Sequence, residues 1–214
     1  MERKAAVLLT LLRLKQVCNH PVHYGVIGGL AGRSGKLDRL EELLGEVVAE
    51  GQRALVFTQY AAWGRRLAEH LRQRLGGAPV WCLDGATPAT ERTRLVREFQ
   101  GGEGPGVFVL SLKAGGAGLN LTAARHVFHF DRWWNPAVER QATDRAYRIG
   151  QAHSVHVHAL LCAGTLEERI DELLRRKEGL AEGVLGGGGE AWLTELGNAE
   201  LREVLTLRRT ALGS

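Results

Sequence analysis

Apolar residues along this chain fall into two rhythms. Residues 5–17 (AAVLLTLLRLKQV) form a strongly apolar helical stretch that stops before Cys18-Asn19-His20-Pro21. A glycine-rich stretch runs from Gly25 to Gly35, and over 37–50 Leu37, Leu40, Leu43, Leu44, Val47 and Val48 recur at helical spacing. From residue 53 the texture changes. Short apolar runs (54–57, 80–83, 107–110, 126–130 and 155–161) alternate with amphipathic stretches near 61–75, 89–99 and 136–148. Such alternation predicts an α/β fold with a parallel sheet covered by helices on both faces.

Start signals sharpen the helices. Thr87-Pro88 and Asn135-Pro136 each place a capping residue before a proline at the first helical position. Thr165 and Glu168 have capping-box spacing and open a helix to about Lys177. Gly186 to Gly189 reads as a flexible breaker, and a short helix is expected from Leu201 to about Arg209. The domain reading is 1–50 as a helical addition, 51–164 as the α/β core, 165–185 as a brace helix and 186–214 as linker and helical tail.

The 214 residues are 44% hydrophobic and 24% charged, which is globular composition rather than that of a disordered chain. No apolar run is long enough to span a bilayer, and the N-terminus carries no signal-peptide pattern. Cys18, Cys82 and Cys162 lie far apart without a C-x-x-C pair, which fits a reducing compartment. The net charge of +4 permits a nucleic-acid partner without demanding one.

Gly32-Arg33-Ser34-Gly35-Lys36 imitates a phosphate loop, but Leu30 and Leu37 stand where glycine and Ser/Thr are required. No acidic D-E-x-x segment follows a strand, so the usual grips on ATP phosphates and Mg²⁺ are not in this sequence. Histidines at 20, 23, 126, 129, 153, 156 and 158 lack zinc-site spacing, and no metal site is expected. The segment after Phe57 is not G-x-G-x-x-G, which removes a dinucleotide-binding reading. The loop from Ser111 to Asn120 (SLKAGGAGLN) follows a strand, and its glycines allow a ligand close to the backbone. On a helix running from 136 to 148, Gln141, Asp144, Arg145 and Arg148 share a face suited to phosphate oxygens.

Six ordered blocks (LKQVCNHP, SGKL, LVFTQY, LDGATPATER, SLKAGGAGLN and DRWWNPAVERQATDRAYRIGQ), followed by TLEERI, resemble the C-terminal RecA-like lobe of the Swi/Snf-type ATPases of helicase superfamily two. The resemblance implies the second of two lobes that hold ATP between them. It implies a RecA-like sheet with N-terminal helical additions and C-terminal brace helices. The longer enzyme would be an ATP-driven translocase on double-stranded DNA that remodels DNA–protein complexes.

The resemblance assigns Arg145 and Arg148 to arginine-finger roles, Gln141 to positioning nucleotide or water and Asp144 to orienting the arginines. Gly118 and Asn120 are placed near the nucleotide. Thr58, Gln59, Thr87, Ser111 and Lys113, at strand ends, are candidates for the DNA backbone. ATP and Mg²⁺ would be bound mainly by the first lobe, which is also the expected partner, with a DNA-bound protein as target and no membrane. The alone-standing chain is expected to lack ATP turnover. Work on DNA implies the bacterial cytoplasm beside the nucleoid, or a eukaryotic nucleus. A stand-alone, non-catalytic DNA-binding or adaptor module is the competing reading.

Overall fold

The computed structural model describes residues 2–112, 118–147, 153–178 and 196–208. Lys113, Arg148 and Gly186 to Gly189 lie outside the described residues. The chain divides into two compact units. One comprises the described residues of 37–132 and 137–160; the other comprises those of 1–36, 133–136 and 161–214.

The first unit is built on β1 (Arg53–Thr58), β2 (Val80–Leu83), β3 (Gly106–Ser111), β4 (His126–His129) and β5 (His156–Ala159). All pairings are parallel, in the order β2-β3-β1-β4-β5. The helices are α2 (Gly35–Ala49), α3 (Ala61–Arg74), α4 (Ala89–Gly101) and α5 (Pro136–Thr143). β1 and β3 are buried along their whole length, as expected of central strands with both faces covered. α3 presents Trp63, Leu67, Ala68 and Leu71, all buried, at helical spacing. Gly64 lets this helix lie close: a Cβ there would be 3.2 Å from the Thr58 methyl. At the other edge, β5 is mostly exposed and Val157 is 51% accessible, so the run expected to be covered is an edge strand.

Because every strand runs the same way, their C-terminal ends share one edge. Register places Thr58 beside Ser111 and Phe57 beside His129. The chain passes from β3 to β4 across β1, and such a switch point is where open α/β sheets hold ligands.

The second unit contains α1 (Glu2–Asn19), a 3₁₀ turn (Pro21–Tyr24), α6 (Leu166–Glu178) and α7 (Asn198–Leu205). Leu11, Trp134, Leu166, Ile170, Leu174, Leu196 and Val204 form its core. The imitation phosphate loop has a structural use here. Lys36 Nζ donates to both oxygens of Glu167, at 2.7 and 2.6 Å, with both side chains 1% exposed, and reaches Asn19 Oδ1 at 3.3 Å. His20 caps the 3₁₀ turn, its Nδ1 accepting from Val22 N–H, and its Nε2 lies 2.9 Å from the Leu30 carbonyl.

Two cap expectations are corrected. Thr87 is not the N-cap of α4, which starts at Ala89 after Pro88. Asp84 takes Thr87 into a local turn instead: Thr87 Oγ1 accepts from Asp84 N–H, and Asp84 Oδ1 accepts from Ala86 N–H. At α6, Thr165 Oγ1 accepts from Glu167 N–H, while Glu168 reaches back to Gly164 N–H rather than to Thr165.

Candidate nucleotide and nucleic-acid site

The C-terminal edge of the sheet is organised by a residue that spacing did not single out. Asp131 is fully buried just beyond β4. Its Oδ1 accepts from Gln59 N–H at 3.0 Å and its Oδ2 from the Thr58 hydroxyl. Thr58 also accepts from Tyr60 N–H, so its hydroxyl is committed inside the fold and shapes the strand end instead of facing a ligand. The next positions are different. Among the described residues Gln59 Nε2 and Ser111 Oγ are buried polar atoms without a hydrogen-bond partner. Such atoms are costly unless something satisfies them, and they lie at the ends of paired strands.

Thr87 lines a shallow groove beside the end of β2, together with Arg65, Arg72, Cys82 and Asp84. Arg65 is half exposed and pairs with Asp84. Glu69 completes the lining and pairs with Arg72, so both guanidiniums of this groove are balanced by carboxylates.

The expected four-residue helical face is only partly realised. α5 ends at Thr143, and residues 144–146 form a turn. Arg145 N–H bonds Ala142 O at 3.2 Å and Ala146 N–H bonds Thr143 O at 2.9 Å, tightening the chain to i→i−3 bonding. The tertiary cause is visible at the Arg145 carbonyl, which accepts from Leu121 N–H at 2.9 Å, and in the buried side chains of Ala142 and Ala146. Gln141 and Asp144 remain exposed, and Arg145 is half-buried with an unpartnered Nε among the described residues. Arg148 lies outside the described residues.

The Leu121 bond ties two sequence-predicted groups together. Asn120, exposed, directly precedes Leu121, and Gly118 sits two residues earlier at φ +67°. That backbone conformation, rather than lack of space, favours glycine, since a Cβ there would meet nothing within 4 Å. The end of the glycine-rich loop therefore adjoins the Arg145 turn.

Two further contacts fix α5. Arg132 Nε donates to both Glu139 oxygens at 2.9 Å, with Glu139 8% exposed. His129, 2% exposed, places Nε2 3.0 Å from Thr143 Oγ1 and stacks on Phe57. Sequence reasoning gave no role to Asp131, Arg132 and Glu139, which only membership in the DRWWNPAVE run marks.

Burial, reinforced by the Arg132 charge and opposed by Asp131, lowers His129 to about 4. The folded state thus resists protonation that the unfolded chain accepts near pH 6.5. The stability contributed is present above pH 6.5 and is lost as pH falls towards 4, by about 3 kcal/mol in full. His129→Gln is expected to flatten that loss in urea unfolding measured between pH 7 and pH 4. An unchanged pH slope would refute the neutral, buried assignment. His126 and His158 are also lowered, by burial and by neighbouring positive charge, and leave a residual slope.

Among the described residues, one cluster of three potential metal ligands occurs, Cys18, Cys162 and Glu167. It lies in the helical unit. The histidines of the β4–β5 face, by contrast, stack on one another, with His126 5.2 Å from His156 and 5.6 Å from His158.

An all-parallel sheet flanked by helices, with the Gly118–Leu121 segment bonded to the Arg145 turn, is a RecA-like architecture. Comparison with known proteins makes this specific. Residues 35–150 match the family described as helicase conserved C-terminal domain. A candidate ATP-dependent helicase/translocase of Bacillus subtilis, YwqA, is 50% identical over 214 residues, 99% of this chain and 23% of that protein. The human chromatin-remodeling ATPase INO80 is 41% identical over 155 residues, 72% of this chain and 10% of that protein. The Sulfolobus solfataricus SWI2/SNF2 ATPase core in complex with dsDNA superposes with TM-score 0.84 at 40% identity, covering 97% of this chain and 43% of that one. The C-terminal domain of the same ATPase gives 0.78 at 38% identity, covering 97% and 84%. The chain belongs to the helicase C-terminal domain family, within the SWI2/SNF2-type ATPases of helicase superfamily two. It spans about a quarter or less of the length of the curated relatives it matches. Among the described residues no helix is long and apolar enough to cross a membrane.

Proposed function

We propose that this chain is the second motor lobe of an ATP-dependent translocase on double-stranded DNA, acting on DNA–protein complexes together with a first RecA-like lobe. Its own contribution is charge and position. Arg145 and Arg148 reach the γ-phosphate of an ATP held chiefly by the first lobe with Mg²⁺. Asp144 orients the arginines, and Gln141 positions nucleotide or attacking water. Gly118 and Asn120 border the nucleotide. The observation that carries this reading is the 2.9 Å bond from Leu121 N–H to the Arg145 carbonyl, which sets the Asn120 segment against the arginine turn. Phosphoryl transfer asks a protein for alignment and charge stabilisation rather than covalent chemistry, so such a lobe completes a site without a phosphate loop of its own. Accordingly, this chain alone is expected to show no DNA-stimulated ATP turnover. Turnover above background that Arg145→Ala abolishes would contradict the two-lobe reading.

Gln59, Thr87, Ser111 and Lys113 supply the DNA track through phosphate oxygens, since a translocase must pass every sequence. The similarity to an ATPase core in complex with dsDNA supports this placement, as do the unpartnered Gln59 and Ser111 atoms. In the longer protein, Lys113→Ala is expected to reduce the salt slope of DNA binding by about one unit, equally for all sequences. An unchanged slope in a salt titration would remove Lys113 from the track.

A further inference from the structure

Cys18 and Cys162 are 144 residues apart in sequence, yet meet within the helical unit. Cys18 lies in the last turn of α1 and Cys162 in the segment leading to α6. The Cys162 thiol donates to the Cys18 carbonyl at 3.1 Å, and the two sulfurs lie within 4.8 Å of each other and of a Glu167 oxygen. Both cysteines are partly exposed, so a small oxidant can reach them.

The third member argues against a metal. Glu167 receives two bonds from Lys36 Nζ and one from Cys162 N–H. A cation would have to enter beside a buried ammonium and take oxygens from its ion pair, which is unfavourable. What is left is a pair of adjacent thiols beside a closed Lys36–Glu167 ion pair.

We propose that Cys18 and Cys162 form a peroxide-reactive dithiol that closes to an intramolecular disulfide, tying the end of α1 to the segment ahead of α6. Cys18 is the attacking sulfur. The Cys162 thiol, close enough to turn its hydrogen from the Cys18 carbonyl to the Cys18 sulfur, favours the ionised form of Cys18 against burial and the Glu167 charge, with Thr165 and Lys36 assisting, and so holds it below the usual thiol range. Cys162 is pushed the other way, chiefly because it keeps the shared proton, and partly by burial. Cys82 is a control within the same chain: burial and the Asp84 charge push its thiol up.

The chemistry balances with a peroxide as oxidant. The Cys18 thiolate attacks one peroxide oxygen, the O–O bond breaks, and a sulfenic acid forms. The departing hydroxide takes the proton released when Cys18 ionised and leaves as water. Cys162 sulfur then attacks Cys18 sulfur, the S–O bond breaks, and the second hydroxide leaves as water with the Cys162 proton. Two thiols lose two electrons in all, and one peroxide becomes two waters.

The test uses the reduced 214-residue chain, a slight excess of hydrogen peroxide, alkylation of remaining thiols and peptide mapping by mass spectrometry. The expected product is the Cys18 peptide joined to the Cys162 peptide with loss of two hydrogens, reversed by a dithiol reductant, while Cys82 stays alkylatable. In Cys162→Ser, a cyclic 1,3-diketone should trap a sulfenic acid at Cys18. In Cys18→Ser, oxidation of Cys162 should slow by about tenfold or more. The wild-type map stands even if a variant folds poorly. A main product linked through Cys82, a cross-linked dimer, or Cys18 accumulating as sulfinic acid despite Cys162 would overturn the proposal. So would one-to-one zinc binding by the reduced chain that protects both thiols from alkylation, which would assign the cluster to a metal.

Discussion

Replacing Arg145 by alanine in the longer two-lobe protein is expected to lower kcat by about 10³-fold while weakening ATP binding far less. An arginine finger meets charge that develops as the phosphoryl group transfers, so its loss falls on the rate. Arg145→Lys should fail to restore the rate, because an ammonium is a point charge and cannot reproduce the planar fork. The structure makes the experiment interpretable. Among the described residues Arg145 Nε has no hydrogen-bond partner, so its removal breaks no described ion pair. The turn itself is held through the Arg145 backbone carbonyl, which alanine retains. Melting of the variant should accordingly stay close to wild type. Near-normal turnover together with a lowered Tm would show that Arg145 serves the fold, and the finger assignment would fall. Arg148→Ala is expected to follow the same pattern.

Breaking the Lys36–Glu167 pair is expected to have the largest effect on stability. Both side chains are 1% exposed, and removing one leaves the other charged, buried and without its main partner. Such a loss costs about 3–5 kcal/mol, or about 10 °C in Tm for a chain of this size. Lys36→Met and Glu167→Gln should each show it in thermal unfolding. The double variant Lys36→Met/Glu167→Met should recover much of the loss, since apolar groups of similar volume often replace a buried ion pair at little cost. Single variants within about 1 kcal/mol of wild type would mean that the pair is not the anchor the geometry describes. Lys36 also shows why a phosphate-loop likeness needs its full pattern: the residue that would grip a phosphate is bound on both sides, by Glu167 and Asn19.

The helical and strand periods were legible wherever burial is one-sided or complete. The α3 stripe of Trp63, Leu67 and Leu71 and the apolar runs at 54–57 and 107–110 emerge in the structure as a buried helix face and two central strands. Local signals failed where a long-range bond competes. Thr87 is drawn to Asp84 rather than capping α4. The helix expected to 148 gives way after Thr143, where a turn surrenders the Arg145 carbonyl to Leu121. β5 reads like a covered strand yet stands at the sheet edge, because alternation reports a pleat and not what lies against it.

By itself, the sequence determined the fold class, the parallel order of strand and helix, and the family, since each is written in short-range periodicity or contiguous motif. Only tertiary structure decided how the candidate side chains are buried and bonded. It buried Thr58 against Asp131, left polar atoms of Gln59, Ser111 and Arg145 without partners among the described residues, and set Arg145 beside Asn120. It also brought Cys18 to Cys162 and Lys36 to Glu167 across more than a hundred residues. The physical reason is that hydrogen bonds and ion pairs act over a few ångströms in space, and separation along the chain carries no information about them once packing has folded it.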